Sequence, residues 1–209
     1  MVELESNNND NENINNINSE FSVEGSELAR FLFETAEVFA QSLFFIVFMF
    51  VFVFRIFTVQ GNSMLSTLQN GNKVVVWQYN YEPTRGDIVV ISKYGSLDES
   101  IIKRVIALPG DTIYIDFEDS PTSVYVNGKK LDEYYINEPE FDEGYDYMGY
   151  VPEVIPEGYI YVMGDNRKHS SDSRSTYVGL VPIDHLVGRA FCRIFPFNKI
   201  GKLERARYS

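Results

Sequence analysis

The stretch VQGNSMLSTLQNG, residues 59–71, lies shortly after a phenylalanine-rich apolar run and contains Ser63, a candidate nucleophile. A serine hydroxyl becomes a nucleophile when a neighbouring base removes its proton. The chain has 2 histidines, His169 in GDNRKHSSDSR and His185 in PIDHLVG. No G-x-S-x-G elbow surrounds Ser63, and both histidine contexts favour a solvated or locally hydrogen-bonded side chain. A histidine base is therefore disfavoured.

Lys103 is the better candidate base, because SIIKRVIALPGD embeds it in a strand of isoleucine, valine and leucine. Burial disfavours the ammonium form and lowers a lysine pKa from about 10.4. A pKa lowered by about two to three would leave a usable fraction of free amine near neutral pH, able to accept the proton of Ser63. Two alternatives stay open from the strand alone: Lys103 reaches solvent from a strand edge, or it pairs with a carboxylate such as Asp111.

Composition excludes several other kinds of site. The net charge is -12, and half of it lies in residues 1–30, so no basic stripe is available for phosphates and no nucleic-acid partner is expected. The histidines lack H-E-x-x-H spacing, and neither a metal nor another cofactor is expected. Cys192 is the only cysteine, which excludes an internal disulfide, and GRAFCRIF predicts a buried strand position for it rather than a reactive thiol.

Three regions follow from the chain's composition. Residues 1–30 are acidic and asparagine-rich, with too little apolar surface to offset the entropy of ordering, and are predicted to be disordered. Residues 31–57 are predicted to form a membrane anchor helix, because the uncharged run Val38–Phe54 spans about 26 Å at about 1.5 Å per residue. A core helix is the alternative, but the run is apolar on every face. A cleaved signal peptide is disfavoured by the acidic tail and the missing small-residue cleavage site.

Residues 58–209 change to a period of two with β-branched runs and are predicted to be a mainly antiparallel β-sheet domain. Asn127-Gly128 is a strong signal for a two-residue hairpin turn. Glu138–Glu157 shows neither period and is predicted to be a long functional or mobile loop. The runs interpreted as strands are KVVVWQY, DIVVIS, SIIKRVIAL, DTIYIDF, SVYVNGKKL, GYIYVMGD and LVGRAFCRIF.

Three blocks, GNSMLSTL, IIKRVIALPGD and GDNRKHSSDSR, occur in this order behind the apolar run, together with RGDIVV and YVGLVP. Over about residues 40–195 the chain resembles the bacterial type I signal peptidases, serine and lysine enzymes that remove signal peptides from exported preproteins. The resemblance implies a β-sheet catalytic domain of the signal peptidase type behind one transmembrane helix. It further implies cleavage after small residues at positions −3 and −1.

The resemblance also implies roles for individual residues. Ser63 would be the nucleophile and Lys103 the general base, with Ser170 orienting the lysine amine and the backbone N–H of Ser63 contributing to the oxyanion hole. Two ion pairs would give structural support, Asp165 with Arg104 and Asp172 with Arg174. The candidate walls of the substrate pockets, for which plain core packing is the alternative, are Phe57, Val59, Met64, Ile101 and Ile102.

The sequence departs from the family pattern at three positions. Ser66 replaces a usual proline, so the turn after the nucleophile should be less rigid. Gly61 stands where some members carry a serine hydroxyl that helps the oxyanion hole, so backbone donors must suffice. Ala107 replaces a usual glycine and is interpreted as neutral. None of these changes removes a required chemical group.

Counts of lysine and arginine around the anchor leave its orientation open. The resemblance implies a single-pass protein of the cell membrane, with the catalytic domain outside the cytoplasm and the N-terminal tail inside. The expected partners are signal peptides and the lipid bilayer, and a monomer is expected. Two rival hypotheses are a self-cleaving repressor with the same dyad, which the membrane span opposes, and a catalytically silent anchored β domain, which intact Ser63, Lys103 and Ser170 oppose.

Overall fold

The computed structural model describes residues 3–117, 123–136 and 151–208, with side chains from residue 27 onward. The chain divides into two compact units, residues 1–50 and 51–209. Three short 3₁₀ helices cover Arg167–His169, Ile183–His185 and Phe197–Lys199. The helix and strands are α1 (Glu3–Phe52), β1 (Phe54–Thr58), β2 (Lys73–Trp77), β3 (Ile88–Ile91), β4 (Ile101–Ala107), β5 (Ile113–Asp116), β6 (Ser123–Val126), β7 (Lys129–Lys130), β8 (Tyr159–Met163), β9 (Val181–Pro182), β10 (Leu186–Phe195) and β11 (Gly201–Lys202).

α1 differs from the sequence prediction at both ends. It begins at Glu3, whereas disorder is predicted for residues 1–30, and no proline lies within it to interrupt the helix. Low hydrophobicity limits burial but does not forbid helical backbone. At its other end α1 stops at Phe52, before the predicted end at residue 57. Its section Glu27–Phe52, 26 residues with a hydropathy of 1.9, is long and apolar enough to cross a membrane.

β1 accounts for the earlier end of the helix. Residues assigned to the anchor by sequence instead pair antiparallel with β2, Phe54 opposite Trp77 and Phe57 opposite Val74. A short apolar run fits a strand as well as a helix, and its periodicity does not distinguish the two. The predicted boundary at residue 57 therefore lies too late in the chain.

The main sheet has eight antiparallel strands in the order β1-β2-β10-β3-β4-β8-β9, with β11 paired to β10. A second sheet has the order β5-β6-β7, and the predicted turn at Asn127 and Gly128, with φ of 53° and 75°, closes its β6–β7 hairpin. Within β4, Lys103 lies opposite Val89 and Arg104 opposite Ile88 of β3. The prediction of a mainly antiparallel β domain is confirmed.

One core cluster lies beneath the chain that follows β1. Val59, Met64 and Leu68 are buried there against valines of β2 and β3. This packing anchors both sides of Ser63 and so fixes the height of its turn above the sheet. Cys192 is half-buried in β10. Most of the predicted loop Glu138–Glu157 lies outside the described residues.

Candidate active site

Ser63 lies in a compact turn between β1 and β2. The turn packs on the core through Met64 and Leu68, which are 1% and 0% exposed. Ser63 itself is half-buried at the surface. The backbone closes the turn through hydrogen bonds from Leu65 N to Asn62 O (3.0 Å) and from Leu68 N to Met64 O (2.6 Å). The serine is therefore presented on a backbone that is fixed from both sides.

Lys103 approaches this serine from β4. Its side chain is buried, at 3% exposure, and Nζ lies 2.8 Å from Ser63 Oγ. Neighbouring strands on both sides hold β4, since it pairs with β3 and with β8. The two side chains that the sequence selects are thus brought within hydrogen-bonding distance, 40 residues apart in the chain.

Burial changes the acid–base character of Lys103. Desolvation lowers its pKa to about 8 from the ordinary 10.5, Arg174 adds to this lowering, and the carboxylates of Asp172 and Asp165 act in the opposite direction. Roughly one molecule in ten would carry the neutral amine at pH 7. The alternative pairing with Asp111 is absent from the described residues, because Asp111 binds Arg85, with Nε to Oδ2 at 2.6 Å.

A loop that follows β8, residues 164–170, is hydrogen-bonded to the turn that contains Ser63. Asn166 donates its backbone N–H to Ser63 O and its Nδ2 to Asn62 O, both at 3.0 Å. Gly164 makes the close approach possible, because a Cβ at this position would collide with the Ser63 carbonyl oxygen and with Ser170 Oγ. Sequence reasoning missed Gly164 and Asn166, although the GDN triplet that opens the third block contains both.

Two buried ion pairs stabilise the same loop. Arg104 donates from Nε and NH2 to Asp165 at 2.8 and 2.6 Å, and Arg174 donates from the same two atoms to Asp172 at 2.7 Å each. Burial alone would raise the pKa of Asp172, but Arg174, the N–H of Gly164 and the Ser170 hydroxyl hold it below its ordinary value. These are the pairs that the resemblance implies, and none of the four side chains touches Ser63 Oγ by a hydrogen bond in the described chain.

Ser170 is buried beside Gly164, at 1% exposure. Its hydroxyl lies near Asp172. Within the described residues, however, its Oγ makes no well-formed hydrogen bond, either to Lys103 or to another group. The orienting role that the resemblance implies for Ser170 is thus not represented by a direct contact in this structure.

The surroundings of the Ser63 N–H fit an oxyanion hole built on backbone. No hydrogen-bond acceptor takes this N–H among the described residues, so it is available to a ligand. The N–H of Gly61 is occupied, since it donates to Asn70 Oδ1 at 3.1 Å. Gly61 has a φ of 77°, a conformation that favours glycine over residues with a side chain. Gly61 therefore shapes the turn and supplies no side-chain donor.

Two cavities flank the dyad, and both are lined by Ser63, Lys103, Glu99 and Ile101. The first, about 290 Å³, adds Phe57 and Ile102, and the second, about 350 Å³, extends toward His169 and Tyr177. Three of the five predicted pocket walls thus line a cavity. The other two, Val59 and Met64, belong to the core cluster instead.

Neither histidine forms a hydrogen bond with Ser63 in the described part of the chain. His169 lines the second cavity, whereas His185 Nδ1 lies 3.4 Å from Ser92 Oγ, away from the dyad. Among the described residues, no three His, Cys, Asp or Glu side chains form a group that could hold a metal ion. The arrangement can therefore support serine chemistry with Lys103 as the base that is hydrogen-bonded to Ser63.

Comparisons with known proteins show which family the chain is similar to. The family model "Signal peptidase, peptidase S26" matches residues 32–195. Probable signal peptidase I-2 of Synechocystis sp. is 39% identical over 69% of this chain and 65% of its own length. Signal peptidase I of Bacillus licheniformis is 37% identical over 73% of this chain and 83% of its own. Signal peptidase I S of Bacillus subtilis is 36% identical over 72% and 82%.

One solved structure, a crystal structure of a signal peptidase I from Enterococcus faecalis V583, aligns with 30% identity and a TM-score of 0.39, over 52% of this chain and 96% of that one. The extent of the family match and the identities of the sequence relatives decide the assignment without it. The chain belongs to the signal peptidase I family, peptidase S26.

Proposed function

We propose that this chain is a membrane-anchored serine endopeptidase that cleaves signal peptides from exported preproteins with a Ser63 and Lys103 dyad. One observation carries the proposal: a buried lysine amine 2.8 Å from the serine hydroxyl, with a pKa lowered to about 8. The family relationship supports the substrate class. A lysine that has lost its proton is a suitable base for a serine, and no histidine is needed.

The reaction follows from this geometry. The neutral amine of Lys103 accepts the hydroxyl proton as Ser63 Oγ attacks the carbonyl carbon of the scissile bond. The Ser63 N–H donates to the oxygen on which negative charge develops. The lysine ammonium then returns the proton to the leaving amine, which leaves an acyl-enzyme. Lys103 next activates a water molecule, and hydrolysis of the ester frees Ser63.

Substrate selection is assigned to the two cavities. A substrate in extended conformation directs alternate side chains to the same side, so the residues at −1 and −3 would enter pockets beside the dyad. The cavities, of about 290 and 350 Å³, are lined by the dyad itself, and we assign small side chains to those positions from the family resemblance. The apolar walls from Phe57, Ile101 and Ile102 would also keep water from Lys103. Specificity and activation of the base would share one surface.

We assign the anchor to α1 and the catalytic domain to the outside of the cytoplasm, with residues 1–30 inside and a single membrane crossing. A monomer is expected, since the dyad and both cavities are formed within one chain. β1 begins directly after α1, so the tether is short. A tether raises the local concentration of the site at the membrane, where a signal peptide emerges.

Incubation of the full-length protein in detergent with a purified preprotein tests the proposal. Mass spectrometry of the products should locate one cut after a small residue, with a small residue two positions earlier. The Ser63→Ala protein is the control. If the wild-type protein binds the preprotein without cutting it, the hypothesis of a catalytically silent binding domain replaces the proposal.

A further inference from the structure

A buried polar cluster, here called the buttress cluster, contains Glu133, Tyr135, Arg167 and Tyr208. The Arg167 side chain is 1% exposed, and its guanidinium makes two contacts with the Glu133 carboxylate, one of them from NH1 to Oε2 at 2.9 Å. Tyr135 donates its hydroxyl to Glu133 at 3.1 Å and lies 2.9 Å from the Tyr208 hydroxyl. None of the four belongs to the dyad or to the supporting ion pairs described above.

Arg167 belongs both to the buttress cluster and to loop 164–170, so the cluster holds this loop directly. Its Nε donates to Gly164 O at 3.2 Å, and its carbonyl oxygen accepts from Arg174 NH2 at 3.0 Å. Gly164 and its neighbour Asn166 hold the Ser63 turn, as described for the active site. A displacement of Arg167 would therefore move the loop that contacts the Ser63 turn.

A second connection runs through β4. The Tyr135 ring lies beneath the Arg104 guanidinium, with Cζ 4.1 Å from the ring centroid. Arg104 is the residue next to Lys103 in this strand, and its side chain is paired with Asp165. The buttress cluster thus contacts both the loop that holds Ser63 and the β4 residue next to Lys103.

We propose that Glu133 and Tyr135 are positioning residues. They act through Arg167 and Arg104 to keep Ser63 and Lys103 in their relative positions. The inference rests on the proposed function. A buried ion pair contributes little net stability compared with apolar residues, so its value here would lie in fixing one geometry. The segment that carries both residues follows β7 and lies outside the three sequence blocks, so no motif identifies it.

Glu133→Gln, made in the full-length protein in detergent, tests the inference. The variant keeps the shape of the side chain but removes the Glu133 charge that pairs with Arg167, so loop 164–170 should shift. We expect kcat on a preprotein to fall about tenfold with KM changed less than about twofold, since reacting groups are misaligned while the cavities persist.

A second readout does not depend on turnover. Titration of the Lys103 amine by NMR, with lysine labelled at Cε, should give a higher pKa in Glu133→Gln, because a loosened loop admits water to the amine. The charged groups that act on Lys103, Asp165, Asp172 and Arg174, are unchanged in the variant. A purely structural role would lower Tm without moving this titration.

Two sets of variants provide the controls. Asp111→Asn breaks the Arg85–Asp111 pair, which makes no hydrogen bond to loop 164–170 in the described chain, and should lower Tm while kcat and the lysine pKa stay at wild-type values. Tyr135→Phe keeps the ring under Arg104 and should retain most activity, whereas Tyr135→Leu removes the ring and should lose about as much as Glu133→Gln.

The outcomes separate the two proposals. If Glu133→Gln behaves like Asp111→Asn, with lower Tm but unchanged kcat and lysine pKa, the positioning inference is wrong. If Glu133→Gln does not fold, equal kcat in Tyr135→Phe and Tyr135→Leu overturns the inference in its place. If the wild-type protein cuts no preprotein, the proposed function fails, and the NMR titration of the same variants still decides the positioning role.

Discussion

Lys103 and Arg104 are consecutive residues of β4, and their side chains are almost equally buried, at 3% and 2% exposure. Arg104 has full compensation for its charge: Asp165 accepts two of its hydrogen bonds, and Gly86 O accepts a third at 2.8 Å. Lys103 has the neutral hydroxyl of Ser63 as its hydrogen-bond partner. One strand therefore carries two buried cations in opposite electrostatic situations.

The contrast separates a structural charge from a reactive one. Burial lowers the pKa of both side chains, but the Asp165 carboxylate more than compensates and keeps the pKa of Arg104 above its ordinary value. Lys103 has no such partner, and its pKa falls to about 8. Two differences therefore separate these neighbours on β4: a guanidinium keeps its proton in any protein environment, whereas a buried ammonium without a carboxylate partner can lose its proton and act as a base.

Removal of either member of the dyad should abolish the reaction. Ser63→Ala and Lys103→Met are each expected to reduce kcat/KM by about a thousandfold or more, because nucleophile and base act as one unit. Membrane insertion and Tm should stay near wild type, since methionine replaces a desolvated amine with an apolar chain. Preprotein cleavage and thermal unfolding are the measurements. Retained cleavage in either variant would refute the dyad.

Removal of the neighbouring arginine should act on stability instead. Arg104→Met leaves Asp165 buried without its partner, and the free energy of unfolding should fall by about 3 to 5 kcal/mol. Thermal unfolding in detergent measures the difference, with Lys103→Met as the matched control on the adjacent residue. If the two variants unfold at the same temperature, the two cations are not distinguished by their pairing.

The pH dependence of the wild-type rate should report the free amine of Lys103. Since only the deprotonated amine accepts the serine proton, kcat should rise with pH through about 8 and level off above it. Between pH 7 and pH 9 the rise should be about tenfold. A rate that is flat from mildly acidic to alkaline pH would count against Lys103 as the base.

Truncation of the acidic tail should have the smallest effect. Deletion of residues 1–20 is expected to leave preprotein turnover within about twofold of wild type, because no charged group of this segment is needed to pair Arg104 or to desolvate Lys103. Turnover in detergent with matched enzyme concentrations is the measurement. A large loss would indicate a function for the tail that its composition does not reveal.

Several features of the site follow from sequence because they are local. Lys103 lies in a run of isoleucine and valine, and such a run predicts a strand and makes a desolvated amine one of the alternatives for the lysine. Other features depend on contacts between distant segments. The close approach of Gly164 to Ser63 becomes visible only when β8 lies beside β4, and no local pattern connects Glu133 to Arg167.

The start of the sheet shows a different limit. Apart from Arg55, Phe54 to Phe57 continue the apolar run without a proline or glycine, and helix and strand are equally compatible with such a segment. Pairing with β2 decides in favour of a strand. The same partner explains why Phe57 lines a cavity rather than contributing to the anchor.

β1 also determines where a water-soluble version of the enzyme can begin. Phe57 pairs with Val74 and lines the first cavity, so removal of everything before residue 58 would expose the edge of β2 and open a wall of that cavity. An unpaired apolar edge promotes association between copies. A cut made before Phe54 would keep all five pairs of the strand, and with them the Phe57 wall of the first cavity, while removing the apolar helix.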